Sequence, residues 1–117
     1  MHPAAINAII KHTCIQCGCA QMATGDRIIL SFSDELTSCL AHAYYDPIDG
    51  GVGEITLSSA YWNCLATSQK VELIIHEVCH ILADHLWRNV DAKPHGNEWK
   101  VLMKCAGINR PSACIEV

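Results

Sequence analysis

The strongest helical repeat of apolar positions lies in residues 68–87. Val71, Ile74, Ile75, Val78, Cys79, Leu82 and Leu86 recur there at the spacing of one helix face. Ser68 stands where a side chain can cap the start of that helix. Residues 3–12 (PAAINAIIKH) predict an earlier helix, with Pro3 in the first turn where its missing N–H is not needed. Residues 95–106 predict a last helix, ended by Gly107. The intervening stretch from Asn89 to Pro94 reads as a loop. Three other segments change period. Residues 27–32 (RIILSF), 39–46 (CLAHAYYD) and 54–58 (EITLS) read as strands. Pro47, Asp49, Gly50, Gly51 and Gly53 form a turn region that makes the second and third strands a hairpin. Residues 33–35 predict a turn or short helix, and Tyr61-Trp62 opens a short helical link. Strands early and helices late predict an α+β domain, a small three-stranded sheet packed on helices.

Composition narrows this picture. The chain has 117 residues, the size of one domain spanning 1–117, and half of them are hydrophobic, enough for a core. No apolar run approaches the roughly 20 residues that span a bilayer. The start, Met-His-Pro-Ala-Ala, lacks the basic and then apolar stretch of a secretory signal. The eight cysteines therefore read as thiols of a reducing cytoplasm rather than a disulfide framework. Cys39, Cys64, Cys79 and Cys105 sit among apolar residues and are expected in the core. Cys14, Cys17 and Cys19 break the first helical pattern. They read as a turn carrying thiols, or as ligands of a second, structural zinc completed by His12, Cys105 or Cys114. The net charge of −4 argues against strong nucleic-acid binding by bulk charge. Arg88, Lys93, Lys100, Lys104 and Arg110 do cluster late in the chain, opposed there by Asp91 and Glu98. Such a run is a solvated helix face or a local surface for an anionic partner.

Candidate chemistry centres on His76-Glu77-Val78-Cys79-His80, an H-E-x-x-H run inside the 68–87 helix. Residues four apart on a helix differ by about 40° in direction and about 6 Å in rise, so both imidazoles can reach one zinc ion. Glu77 is turned about 100° from His76, where it suits a general base on a water better than a ligand. Two histidines and a carboxylate between apolar residues are costly without partners, and a metal accounts for all three. A third protein ligand is then needed. Asp84 lies about 12 Å along the axis from His76, too far to share an ion. His85 points to another face. His95 and Glu98 lie across the loop on the next helix; His95, followed by Gly96, is favoured, with Glu98 the alternative.

His76-Glu77-Val78-Cys79-His80, fourteen intervening residues and then His95-Gly96-Asn97-Glu98-Trp99-Lys100 resemble the SprT-like metalloprotease family, which includes the Spartan proteases. Residues 28–32, 40–45 and 55–58 look like that family's three strands before the active-site helix. The resemblance covers roughly residues 25–110. It implies a zincin-type fold, Zn²⁺ held by His76, His80 and His95, Glu77 as general base, and hydrolysis of peptide bonds in protein substrates. In Spartan relatives those substrates are attached to DNA. Tyr44, Tyr45 and Tyr61 are candidate donors to an oxyanion. The competing expectation is a non-catalytic zinc scaffold, which would close its metal with four protein ligands.

Overall fold

The computed structural model describes residues 1–87 and 95–109. The loop expected over 89–94 lies outside the described residues, as do Arg88, Asp91, Lys93, Arg110 and Cys114.

Helix α1 spans Pro3–Gln16. Pro3 stands at its first position, and His2 Nδ1 accepts from the Ala4 N–H at 3.0 Å. The helix runs four residues past its expected end. Ile6, Ile10, Thr13 and Cys14 form one buried stripe at helical spacing, and that stripe lies on α3. The cysteine run therefore does not break the helix at Cys14; the chain leaves it at Cys17. A single 3₁₀ turn, Ala20–Ala23, follows.

Strands β1 (Ile28–Ser33), β2 (Ala41–Asp46) and β3 (Val52–Ser58) form one mixed sheet in the order β1-β3-β2. β3 is central, parallel to β1 and antiparallel to β2, so the expected hairpin is present. β2 begins two residues later than expected, at Ala41. Leu30, Ile55 and Ala43 align in one row across the sheet, and that face packs on α3. Between β1 and β2, Ser33 Oγ accepts from the N–H groups of Glu35 and Leu36, which makes the expected turn. At the hairpin, the Arg27 guanidinium donates to the carbonyls of Asp49 and Gly51 and ties the turn to β1.

The short helix α2 (Ser59–Trp62) is capped by Ser58, whose Oγ accepts from the Tyr61 N–H at 3.4 Å. Helix α3 (Thr67–Trp87) is the spine of the molecule. Ser68 does not cap it, because the helix has already begun; the Gln69 side chain instead reaches back and accepts from the Ala66 N–H at 2.8 Å. Residues 73–79 of α3 are buried without interruption, as are 81–83. A helix buried almost all round needs partners on several sides, and α3 has the sheet, α1 and α4. Leu86, expected on the buried face, is 45 % exposed. The last turn of α3 presents His85 to the sheet instead, where Nδ1 meets the Tyr45 hydroxyl at 2.7 Å.

Gly53 of β3 is where sheet and spine come closest. A Cβ there would stand 2.7 Å from Ile81, so only hydrogen fits between strand and helix. Helix α4 (Asn97–Cys105) starts two residues later than expected, with Gly96 at its N-cap and His95 before it. It ends on Gly107 at φ 94, with Ile108 N–H donating to the Met103 carbonyl and Gly107 N–H to that of Lys104. No helix among the described residues is long and apolar enough to cross a membrane.

Candidate metal centre

Three imidazoles converge at the middle of α3. His76 and His80 come from successive turns of the helix, and His95 is delivered by the residues just before α4. Their Nε2 atoms form a triangle with sides of 3.1 Å (His76–His80), 3.0 Å (His80–His95) and 3.1 Å (His76–His95). Each ring nitrogen brings either one hydrogen or one lone pair, in the plane of its ring. Hydrogen bonds alone therefore cannot close a triangle of three. A cation that takes one lone pair from each ring can. The sides are close to the edge of a coordination tetrahedron with bonds of 2.0–2.1 Å, about 3.3 Å. The donor set thus fits a metal ion, and among the described residues these three are the one group with ligand spacing.

Electrostatics favour the same use. Burial, and then repulsion from His76 and His95, lower His80 from its ordinary 6.5 to about 3. That ring stays neutral and keeps a lone pair to donate. Glu77 is buried beside it on α3, only 6 % exposed. Burial pushes its carboxyl from an ordinary 4.5 up to about 7. A divalent cation in the triangle would pull it down again, because opposite charge favours the ionised form.

Trp99 completes the centre; in the sequence it stood only as the aromatic of the run that carries the family resemblance, with no role of its own. It lies one turn after His95 on α4 and is 1 % exposed. Its ring stacks on His80 and meets His76 and His95 edge-on. Its Nε1–H donates to the His76 carbonyl at 3.2 Å. The available signal was its place in the His95–Lys100 run that carries the family resemblance, which named the residue without giving it a partner.

The other candidates fall elsewhere. Glu98 is half-buried and outside the ligand group; Asp84 is exposed. His85 is engaged by Tyr45 and, at 3.3 Å, by Gln21. Tyr61 donates to the Thr37 carbonyl at 3.2 Å. Tyr44, next to Tyr45 and so on the opposite face of β2, is 61 % exposed. Lys100 and Lys104 are exposed on α4.

Most of the cysteines depart from the sequence expectation, and Cys79 meets it. Cys39, Cys64 and Cys105 are exposed; only Cys79 of that set is in the core. Cys14 and Cys19, from the run expected in a turn, are fully buried. No second group with metal-ligand spacing occurs among the described residues. Cys17 Sγ instead donates to the Leu102 carbonyl, and Cys19 Sγ to that of Cys17. Cys17 and Cys79 are hydrogen bonded to each other, which lowers the Cys17 thiol and raises that of Cys79. Burial pushes Cys14 up to about 12. Cys14 and Cys79 behave as small apolar groups, protonated and packed.

Residues 6–117 match the SprT-like family. The chain belongs to that family. The H-E-x-x-H helix and the downstream His95 of this SprT-like chain meet at one point, as a metal-site reading requires. No curated protein and no solved structure matches the chain significantly.

Proposed function

We propose that this SprT-like chain is a zinc-dependent endopeptidase acting on protein substrates. The observation that carries the reading is the Nε2 triangle of His76, His80 and His95, two of them on the same helix as the buried Glu77. Imidazole donors suit zinc, and three protein ligands are the number a catalytic zinc site uses; a closed structural site uses four. Among the described residues the group has three members, which favours the enzyme over the scaffold.

Zinc, when bound, supplies Lewis acidity that brings the pKa of water near 7 and polarises a carbonyl. Glu77 supplies the proton chemistry. Its carboxylate takes the proton of the attacking water and hands it to the departing amine. Its burial keeps bulk water away from that transfer. The imidazoles hold their positions throughout, because two come from one rigid helix and the third is packed against Trp99.

The test separates binding from chemistry. Glu77→Gln keeps the shape and removes the base. Zinc content at one ion per chain with no cleavage of casein or of the chain itself is the expected result. Cleavage at the wild-type rate by this variant would refute the mechanism.

A further inference from the structure

We propose that Trp99 is the positioning residue of the histidine cluster: its indole sets the orientation of all three imidazoles and so determines the affinity for a metal ion. The inference rests on the reading of the cluster as a metal site.

The backbone alone leaves the three rings free to turn. His76 and His80 share a helix, so their Cα positions are fixed, but each ring still has two soft torsions. His95 has no such frame. It precedes α4, and its position relative to α3 is set by tertiary contact alone. Three nitrogens held about 3 Å apart therefore need a group that touches both helices.

Trp99 is that group. Its ring centroid lies 4.8 Å from that of His76, 5.5 Å from that of His80 and 4.8 Å from that of His95. The His80 ring lies nearly parallel to it, at 19°. The His76 and His95 rings stand at 65° and 77°. One face and two edge contacts define three ring planes at once, and both arrangements suit the quadrupole of an aromatic ring. The indole cannot turn in place, because its Nε1–H is anchored on the His76 carbonyl at 3.2 Å. That carbonyl belongs to a ligand residue in the middle of α3. A single side chain thus links the backbone of one ligand to the rings of all three. The indole preorganises the three donors, and little ordering is left for binding to supply.

A purely space-filling role predicts a different set of measurements. Wild type, Trp99→Leu and Trp99→Phe are compared for zinc affinity by competition with a chromophoric chelator. The absorption bands of bound Co²⁺ report ligand geometry, and urea unfolding of the metal-free proteins reports stability. Removal of groups that orient metal ligands typically weakens affinity 10–100-fold, and about that loss is expected for Trp99→Leu. Its Co²⁺ bands are expected to shift. Trp99→Phe keeps a ring face and loses the anchor, so its affinity is expected between the two. Unchanged affinity and Co²⁺ bands in both variants, with only the unfolding midpoint lowered, would make Trp99 a core residue and overturn the proposal. Should Trp99→Leu fail to fold, Trp99→Phe decides alone: wild-type affinity and wild-type bands overturn it. A wild-type chain that binds neither ion would sink the metal reading itself, a separate result from two variants that bind as tightly as wild type.

Discussion

At the scale of single residues, two titrating groups pull the metal-free molecule in opposite directions. The unfolded chain protonates His80 near 6.5, whereas the folded one resists to about 3. The unfolded state then binds more protons in that window, so this contribution is full above pH 6.5 and is lost as pH falls. Glu77 has the opposite sign. Its folded value of about 7 lies above the ordinary 4.5, so its contribution is full below pH 4.5 and is lost as pH rises through 7. Metal-free Glu77→Gln has no carboxylate to bury. It should therefore gain stability over wild type as pH rises from 4.5 to above 7, by about 1–3 kcal/mol. Urea unfolding in chelator at several pH values checks this; a gap that stays constant with pH contradicts it. His95→Ala removes one of three donors. Its zinc affinity should fall by more than the 10–100-fold typical of a lost supporting contact, as measured by chelator competition.

His76, Glu77 and His80 were legible because a helix fixes the relation between neighbours four apart. His95 was legible only as one of two candidates, since its distance to His80 depends on how α4 docks. The role of Trp99 was not legible, because its partners lie on α3 and in the residues before α4, not on its own helix.

At the scale of elements, α3 and β3 meet at Gly53. Any larger residue there collides with Ile81, which follows His80 of the imidazole cluster directly in sequence. The nearest atoms include Ile81 Cγ2 as well as its flexible end, so the clash cannot be relieved by one rotation. Gly53→Ala should lower stability by about 1–3 kcal/mol, the usual cost of overpacking. Chemical denaturation measures it, and a value near zero would show that the sheet can shift away from α3 without cost. The glycine-rich turn region was legible, but this role of Gly53 was not. The turn chemistry is local, whereas the close approach is a property of two elements together. The same holds for the cysteines. Cys39, Cys64 and Cys105 have apolar neighbours in sequence yet face solvent, while Cys14 and Cys19 fall on the side of α1 and its following turn that meets the core. Apolar neighbours along the chain do not say which way a side chain points once the element has docked.

At the scale of the whole molecule, the metal would join two parts of the chain. His76 and His80 belong to α3, and His95 arrives with α4. An ion bound by the folded state alone stabilises it by mass action, about 2.7 kcal/mol at a hundredfold excess over the dissociation constant. Thermal unfolding with and without chelator should show a higher midpoint with zinc, and His95→Ala should lose most of that shift. Equal midpoints in wild type with and without zinc would argue that the triangle holds no ion.

The order of helices and strands, the hairpin and the H-E-x-x-H helix all followed from local patterns. Period, turn chemistry and i, i+4 geometry act between residues close in sequence, and they persist whatever the rest of the chain does. The choice of His95 over Glu98, the clamp made by Trp99 and the burial of Cys14 and Cys19 rather than Cys39, Cys64 and Cys105 depended on docking. Each required two elements to choose facing surfaces, and that choice is made by the packing of the entire core around α3.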